Sequence, residues 1–330
     1  MIGLPRAAER RLAISLVIAL VALIPTGSVQ AREGGQIVFQ SRIDDNTDIY
    51  VMDGDGTNVR RLTDAPEGDG SPRWSPGGTR IVFVSDRDGT RQVYTMVPDG
   101  GSVRRVTDAP TSVSAPVWSP DGQEIAFFAN YQESGIHIMD RDGGNVRFLT
   151  GPPDPKGHPG NHFQDSYGGL DWSPDGQTLL FNAHSGGEAA CVWAIDVDGR
   201  NPRKLTGDEG HDFGQAWSAD GREILFHQSD RIPGFYTMGP NGRNRTELLV
   251  PFKAGIARWS PSEEEIIFVM DGDIHIGSIA EQNVRRLVEL PGRERSPDWF
   301  DPAHARAVSA ESRTPVIWGQ LKGSEARPAE

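Results

Sequence analysis

Histidine suits metal ligation and proton transfer near neutral pH better than any other side chain. The chain has eight, and five of them fall between residues 158 and 227: His158, His162, His184, His211 and His227. Asp165, Tyr167, Glu188 and Asp212 are interspersed among them. Three imidazoles and a carboxylate can hold a transition metal once a fold brings them within ligand distance. The spacing matches no metal-ligand motif, so the fold would have to assemble the site. There is no Gly-x-Ser-x-Gly elbow and no nucleophile–base constellation. Asp53-Gly54-Asp55-Gly56 begins like a calcium loop. Thr57 and Asn58 then occupy the places of a third oxygen ligand and the sharp-turn glycine, so a hairpin turn is expected there. Cys191 is the only cysteine and sits in the apolar run Ala189 to Trp193, which predicts a buried, inert thiol and no disulfide.

The elements that must position these residues form a repeat. Trp74-Ser75-Pro76-Gly77-Gly78 returns as Trp118-Ser119-Pro120-Asp121-Gly122, then from Trp172, Trp217, Trp259 and Trp299, at spacings of 44, 54, 45, 42 and 40. An apolar run follows each of the first five, as in Ile81-Val82-Phe83. A second run comes next, as in Val93-Tyr94-Thr95-Met96, and then a basic-apolar stretch such as Val103 to Thr107. Each unit therefore reads as four short strands, A to D, with Trp on A. Gly (39) and Pro (24) are abundant and hydrophobic residues make up only 36%, which fits short strands and turns rather than long helices. A period in the low forties with four strands per unit is that of a propeller blade.

The ends of the repeat complete each other. The first unit opens at Ile37-Val38-Phe39 with a B strand and lacks a Trp strand, while Trp299 provides a Trp strand with no unit after it. Pairing them closes a ring and removes its open edges. The expected fold is all-β: a six-bladed propeller of four-stranded blades, in which N-terminal strands complete the C-terminal blade. Charged pairs on the D strands, such as Arg60-Arg61 and Arg104-Arg105, are expected to form a solvated rim that blocks edge-to-edge pairing.

Trp-Ser-Pro-Asp-Gly, an Ile-Ala-Phe-like strand, a Tyr-x-Met strand with an Asp-Gly turn, and Arg-Arg-Leu-Thr together resemble the WD40-like repeat of the TolB propeller family. Ser71 to Thr107 is close to that repeat throughout, and the resemblance extends over residues 35 to 302. It implies an exported, usually periplasmic protein. TolB itself carries an α/β domain before its propeller and works with outer-membrane lipoproteins and colicins. Here the first strand is expected a few residues after the leader, so the resemblance does not carry that role over. Related repeats occur in peptidase propellers, whose hydrolase motif this sequence lacks. The motif residues serve turns and packing, so they specify fold rather than function.

Arg6, Arg10 and Arg11 precede a 13-residue apolar stretch, Leu12 to Ile24, with small residues at Val29 and Ala31. Residues 1–31 are read as a signal peptide, with an uncleaved anchor as the alternative. The propeller is assigned to 32–302. Residues 303–330 are assigned to a tail in which Thr314 to Leu321 offers one extra strand or a staple through Trp318. A formal charge of −13 argues against nucleic-acid or anionic-membrane partners. No cofactor, no membrane span in the mature chain and a monomer are expected, in the periplasm or outside the cell.

In such a ring the D-to-A and B-to-C connections emerge on one face. That face would gather His158, His162, Asp165, Tyr167, His184, His211 and Asp212 as candidate ligand-binding residues. Asp44, Asp45, Asp86, Asp88 and Glu294 would make it mostly acidic. The reading is a non-catalytic scaffold that binds a protein or peptide there. The alternative is a metal-dependent lyase or hydrolase of polysaccharide fragments that uses the histidines.

Overall fold

Four- to eight-residue apolar runs broken by Pro, Gly and Asp cannot bury themselves alone, and stacking one sheet against the next covers both of their faces. The computed structural model describes residues 34–131, 133–149, 169–184, 189–207, 210–230, 232–249 and 254–305. The leader, the Gly151–Gly168 connection and the tail beyond Ala305 lie outside them. Among the described residues, 24 strands form six four-stranded antiparallel sheets. Blade 1 holds β1 (Gln36–Ile43), β2 (Asn46–Asp53) and β3 (Arg60–Arg61). Blade 2 holds β4 (Asp69–Trp74), β5 (Ile81–Ser85), β6 (Gln92–Met96) and β7 (Arg104–Arg105). Blade 3 holds β8 (Val113–Trp118), β9 (Glu124–Tyr131), β10 (Glu133–Asp140) and β11 (Arg147–Leu149). Blade 4 holds β12 (Asp171–Trp172), β13 (Thr178–His184), β14 (Ala190–Asp196) and β15 (Arg203–Lys204). Blade 5 holds β16 (Asp212–Trp217), β17 (Ile224–Gln228), β18 (Gly234–Met238) and β19 (Thr246–Leu249). Blade 6 holds β20 (Ala254–Trp259), β21 (Glu265–Met270), β22 (Asp273–Ser278) and β23 (Asn283–Arg286).

The last strand, β24 (Arg293–Phe300), pairs antiparallel with β1, Trp299 opposite Ile37, and so completes blade 1. The expected six-bladed ring and its offset closure are both present. The Trp side chains account for the stacking. Trp74 packs on Val38, Ile49 and Val51 of the preceding blade, and Trp118 packs on Val82 and Val93. Trp172, Trp217, Trp259 and Trp299 repeat the arrangement. Within each blade the B-strand Phe faces an aromatic ring or His directly across the ladder, with centroids 5.6–6.5 Å apart. His137 and His275 take the place that Tyr50, Tyr94, Trp193 and Tyr236 fill elsewhere, so both are packing residues.

The repeated turn is held by its serine as much as by Pro and Gly. Ser119 Oγ donates to Asp121 (2.5 Å) and accepts from the Glu124 N–H (2.9 Å), while Gly122 takes φ +65°. Ser173 and Ser218 repeat this. Asp53–Asn58 closes as a hairpin turn, Asn58 Nδ2 donating to Asp53 at 2.7 Å and the Thr57 N–H to Asp55 at 2.9 Å. Cys191 is buried, its Sγ 3.4 Å from the Gly207 carbonyl. The D strands carry the exposed charge expected of them, and some of their arginines also bond the next blade. Arg60 donates to the Pro98 carbonyl and Arg147 to that of Val197, each at 2.7 Å and each on the next blade. A guanidinium has five donors on a long stem, so it can reach a neighbouring turn while its edge strand stays charged. Among the described residues no helix is long and apolar enough to cross a membrane.

Candidate functional site

The six inner strands line a channel. Each described inner strand from β4, β8, β16 and β20 has a bulge shortly before its Trp, and the pairing of β1 with β24 shifts in the same place. Ser71, Ala115, Gly169 and Ser296, three residues before a Trp, take positive φ. Pro72, Pro116 and Pro297 follow at a point where the bulge leaves no ladder hydrogen bond to donate. The bulge re-aims the residue just before each Trp, which is Arg73, Val117, Asp171, Ala216, Arg258 or Asp298.

Four of these six are charged and form a waist. Arg73 pairs with Asp298 at 3.2 Å. Asp298 also accepts from the Trp74 N–H, and Asp171 from that of Trp217, both at 2.7 Å and both on the next blade. Burial pushes the Asp171 carboxyl up to about 7, with Asp298 adding to the rise, against the pull of Arg73 and the Trp217 N–H. Burial also raises Asp298, against Arg73. Arg73 of blade 2 and Arg258 of blade 6, the two neighbours of blade 1, converge on Gly169 before β12. A Cβ on Gly169 would lie 3.1 Å from Arg258 Nη2 and 3.8 Å from Arg73 Nη2.

On the side of the D-to-A and B-to-C connections the channel widens to about 870 Å³, with Arg73 and Arg258 at its floor. On the side of the Ser-Pro-Asp-Gly turns it forms a smaller cup of about 310 Å³, walled by Trp118, Trp172, Trp217 and Trp259 and by prolines. Among the described residues the larger cavity is lined by Arg73, Arg91, Arg258, Arg293 and Arg295 and by two carboxylates, Asp271 and Glu294. Glu294 is fully buried and bonded by Ser41, and burial beside Asp273 pushes it up to about 7. The described lining of this cavity is therefore net basic, although the outer loops of the face are rich in Asp.

The histidine sector is described only in part. His158, His162, Asp165 and Tyr167 lie outside the described residues, as does the side chain of His184. His211 Nδ1 accepts from the Ala190 N–H at 3.1 Å, and Ala190 pairs with His184 across the blade 4 hairpin. His211 thus sits beside the His184 hairpin end, with one ring nitrogen engaged. Asp212 is only 1% exposed and accepts from Gln228 (3.1 Å) and Thr206; burial still raises its carboxyl. It holds two blades together and does not face the loops. Among the described residues no group of three or more His, Cys, Asp or Glu could hold a metal ion.

The family model for the TolB beta propeller domain matches residues 29–157. TolB from Acinetobacter baumannii superposes with a TM-score of 0.67 at 20% identity, over 90% of this chain and 74% of that one. A protein described as TolB from Agrobacterium tumefaciens gives 0.59 at 20% identity, over 81% and 91%. The fold of the chain is a six-bladed β-propeller similar to that of TolB proteins. A chain from a crystal structure of a nidogen/laminin complex also gives 0.59, at 11% identity, over 80% and 98%. At these identities the likeness is one of fold.

What sequence reasoning missed in the TolB-like ring is the arginine floor. A signal for it existed. The residue before Trp is the one that varies, Arg, Val, Asp, Ala, Arg and Asp in turn, inside a motif that is otherwise nearly constant.

His227 gives a pH prediction that separates packing from binding. It is 2% exposed, set between Phe213 and Phe235, and neither ring nitrogen has a partner among the described residues. Burial lowers its pKa to about 4. The folded ring stays neutral while the unfolded ring protonates below about 6.5, so its contribution to stability is present above that pH and is lost as pH falls toward 4. At pH 5 the loss is about 2 kcal/mol. His227→Phe should therefore unfold at higher urea than the parent at pH 5, and the gap should narrow at pH 8. An equal gap at both pH values would mean that His227 ionises freely in the fold.

Proposed function

We propose that this TolB-like propeller is an exported, non-catalytic scaffold that binds a protein or peptide on the face of its D-to-A and B-to-C connections. The observation that carries the reading is the cavity of about 870 Å³ opening at the centre of that face. Its walls are hydrogen-bonded inner strands, so a ligand would meet a preformed surface with little ordering cost. The leader-like N-terminus supports export. That similar propellers include TolB proteins and a chain solved within a protein–protein complex supports a protein ligand.

The test is position-specific photo-crosslinking in the native host. A photoreactive residue at Asp45 or Arg91 reports the loop face, and one at Arg200 or Arg222 reports the turn face. The expected result is one discrete adduct, in an exported fraction, from the loop-face positions alone. Adducts from the turn-face positions alone would overturn the assignment of the binding face.

A further inference from the structure

The cavity on the loop face opposes the charge of the chain that builds it. The chain carries −13 formally, yet five arginines line the cavity against two carboxylates among the described residues. Not all of them are neutralised by their surroundings. Arg73 is paired with Asp298, and Arg91 with Asp86 at 2.8 Å. Arg293 and Arg295 sit exposed on β24, and neither has an ion pair among the described residues. The Arg293 stem packs on Gly272 of blade 6, at 3.4 Å from where a Cβ there would be, which holds it at the cavity wall. Of the two lining carboxylates, Glu294 has no exposed surface to offer.

We propose that this cavity takes an acidic peptide segment, its carboxylates met by Arg293 and Arg295 at the rim and by Arg73 and Arg258 at the floor. This rests on the loop-face reading above and adds the chemistry of the partner. Guanidinium groups match carboxylates in geometry and are less strongly hydrated than ammonium groups, so they serve recognition inside a cleft well. Low-dielectric walls focus the field of the arginines along the channel, while the outer Asp residues repel an anion that lands off-centre. Length also fits. From Arg295 to the level of Arg73 and Asp298 the bulged β24 advances as far as two residues of its partner β1, Gln40 to Val38, about 7 Å at strand rise. An extended peptide covers that distance in about two residues, so acids two apart, on one side of the peptide, would reach rim and floor together.

The test uses the purified chain and fluorescein-labelled hexaglutamate, read by fluorescence anisotropy at low salt. Hexaglutamine serves as the neutral control. Because the chain is acidic overall, any binding of hexaglutamate must come from a local site. Arg293→Gln/Arg295→Gln removes two exposed charges from the rim. Arg200→Gln/Arg222→Gln removes two from the turn face, where the side chains are 82% and 85% exposed. Thermal melting confirms that both variants remain folded. Expected is saturable binding of hexaglutamate but not of hexaglutamine, weakened at least tenfold in the rim variant and less than twofold in the turn-face variant. No binding by the parent, or equal loss in both variants, would overturn the proposal. An oligogalacturonate of equal charge binding more tightly than hexaglutamate would overturn its peptide class. The two readings fail separately. Loop-face crosslinks without hexaglutamate binding leave the scaffold standing and remove the acidic ligand. Rim-dependent binding with turn-face crosslinks does the reverse.

Discussion

A chain lacking residues 36–63 is expected to show no cooperative unfolding transition at all, although it keeps every strand of blades 2 to 6. The deletion removes β1, β2 and β3 and leaves β24 without its partner. Ile37, Val38, Phe39, Ile49, Val51 and Met52 go with it, all fully buried. At about 1.5–3 kcal/mol for each buried side chain, their sum reaches or exceeds the 5–15 kcal/mol of a whole domain. The loss is spread over two junctions, because these side chains pack on both neighbours. Val38, Ile49 and Val51 meet Trp74 of blade 2, while Ile37, Phe39 and Met52 meet Ile267 and Ile274 of blade 6. Two sheet faces and two edges would be exposed to water and to other chains. A permutant supplies the control. Joining Ala305 to Gly34 through a short linker and opening the chain in the exposed turn after Arg61 keeps all four strands of blade 1. Trp299 Nε1 already donates to the Gly34 carbonyl at 3.0 Å, so the linker has little to span. The permutant should melt cooperatively. A truncated chain that melts as the parent does would show that the ring does not depend on this closure.

The ring was legible because its cause is local and repeated. A Trp that must fill the gap to the preceding blade recurs six times, and the turn of Ser, Pro and Gly in fixed order follows it intact three times. The closure could be counted for the same reason, since Trp299 lacked a following unit and Ile37 a preceding one. The channel left no such mark. Arg73 and Arg258 are 185 residues apart in sequence, and nothing local says that both come up against the open side of Gly169. Only closure of the ring brings them together. The acidic reading of the face described its outer loops and did not reach the cavity at its centre. Asp44, Asp45 and Asp86 do cluster in the sequence of the outer loops, whereas the lining arginines come from different strands. The D-strand arginines show the limit of composition. Exposed charge was expected and is present, but the hydrogen bonds from Arg60 and Arg147 to the next blade depend on a spacing between blades that the sequence does not state. Asp212 looked like a loop carboxylate beside His211, yet one strand position separates His211, at the end of the blade 4 hairpin, from a carboxylate buried between blades.

Trp118→Ala should cost about 3–5 kcal/mol, a large share of the roughly 5–15 kcal/mol that holds a whole domain folded. The indole is 6% exposed and packs against Val82, Val93 and Val106 of blade 2 as well as Val113, Ile125 and Phe127 of its own blade. The cost should be one of packing alone. Indole Nε1 is buried without a hydrogen-bond partner among the described residues, so its removal leaves no donor or acceptor stranded. Trp299 differs, because its Nε1 donates to Gly34 and its truncation would also loosen the closure. The gap left at Trp118 lies between two sheets rather than within one. Collapse would therefore require the blades to tilt toward each other, which the hydrogen-bonded ring resists, so the cavity should persist and the cost should fall high in the range. Denaturant unfolding of parent, Trp118→Phe and Trp118→Ala checks this, with Phe expected between the other two because it restores part of the lost volume. An Ala variant within about 1 kcal/mol of the parent would mean that the indole contributes little between the blades. Its edge on the turn-face cup would then be the reason for the residue, and the Trp of this repeat would be a contact surface instead of a spacer.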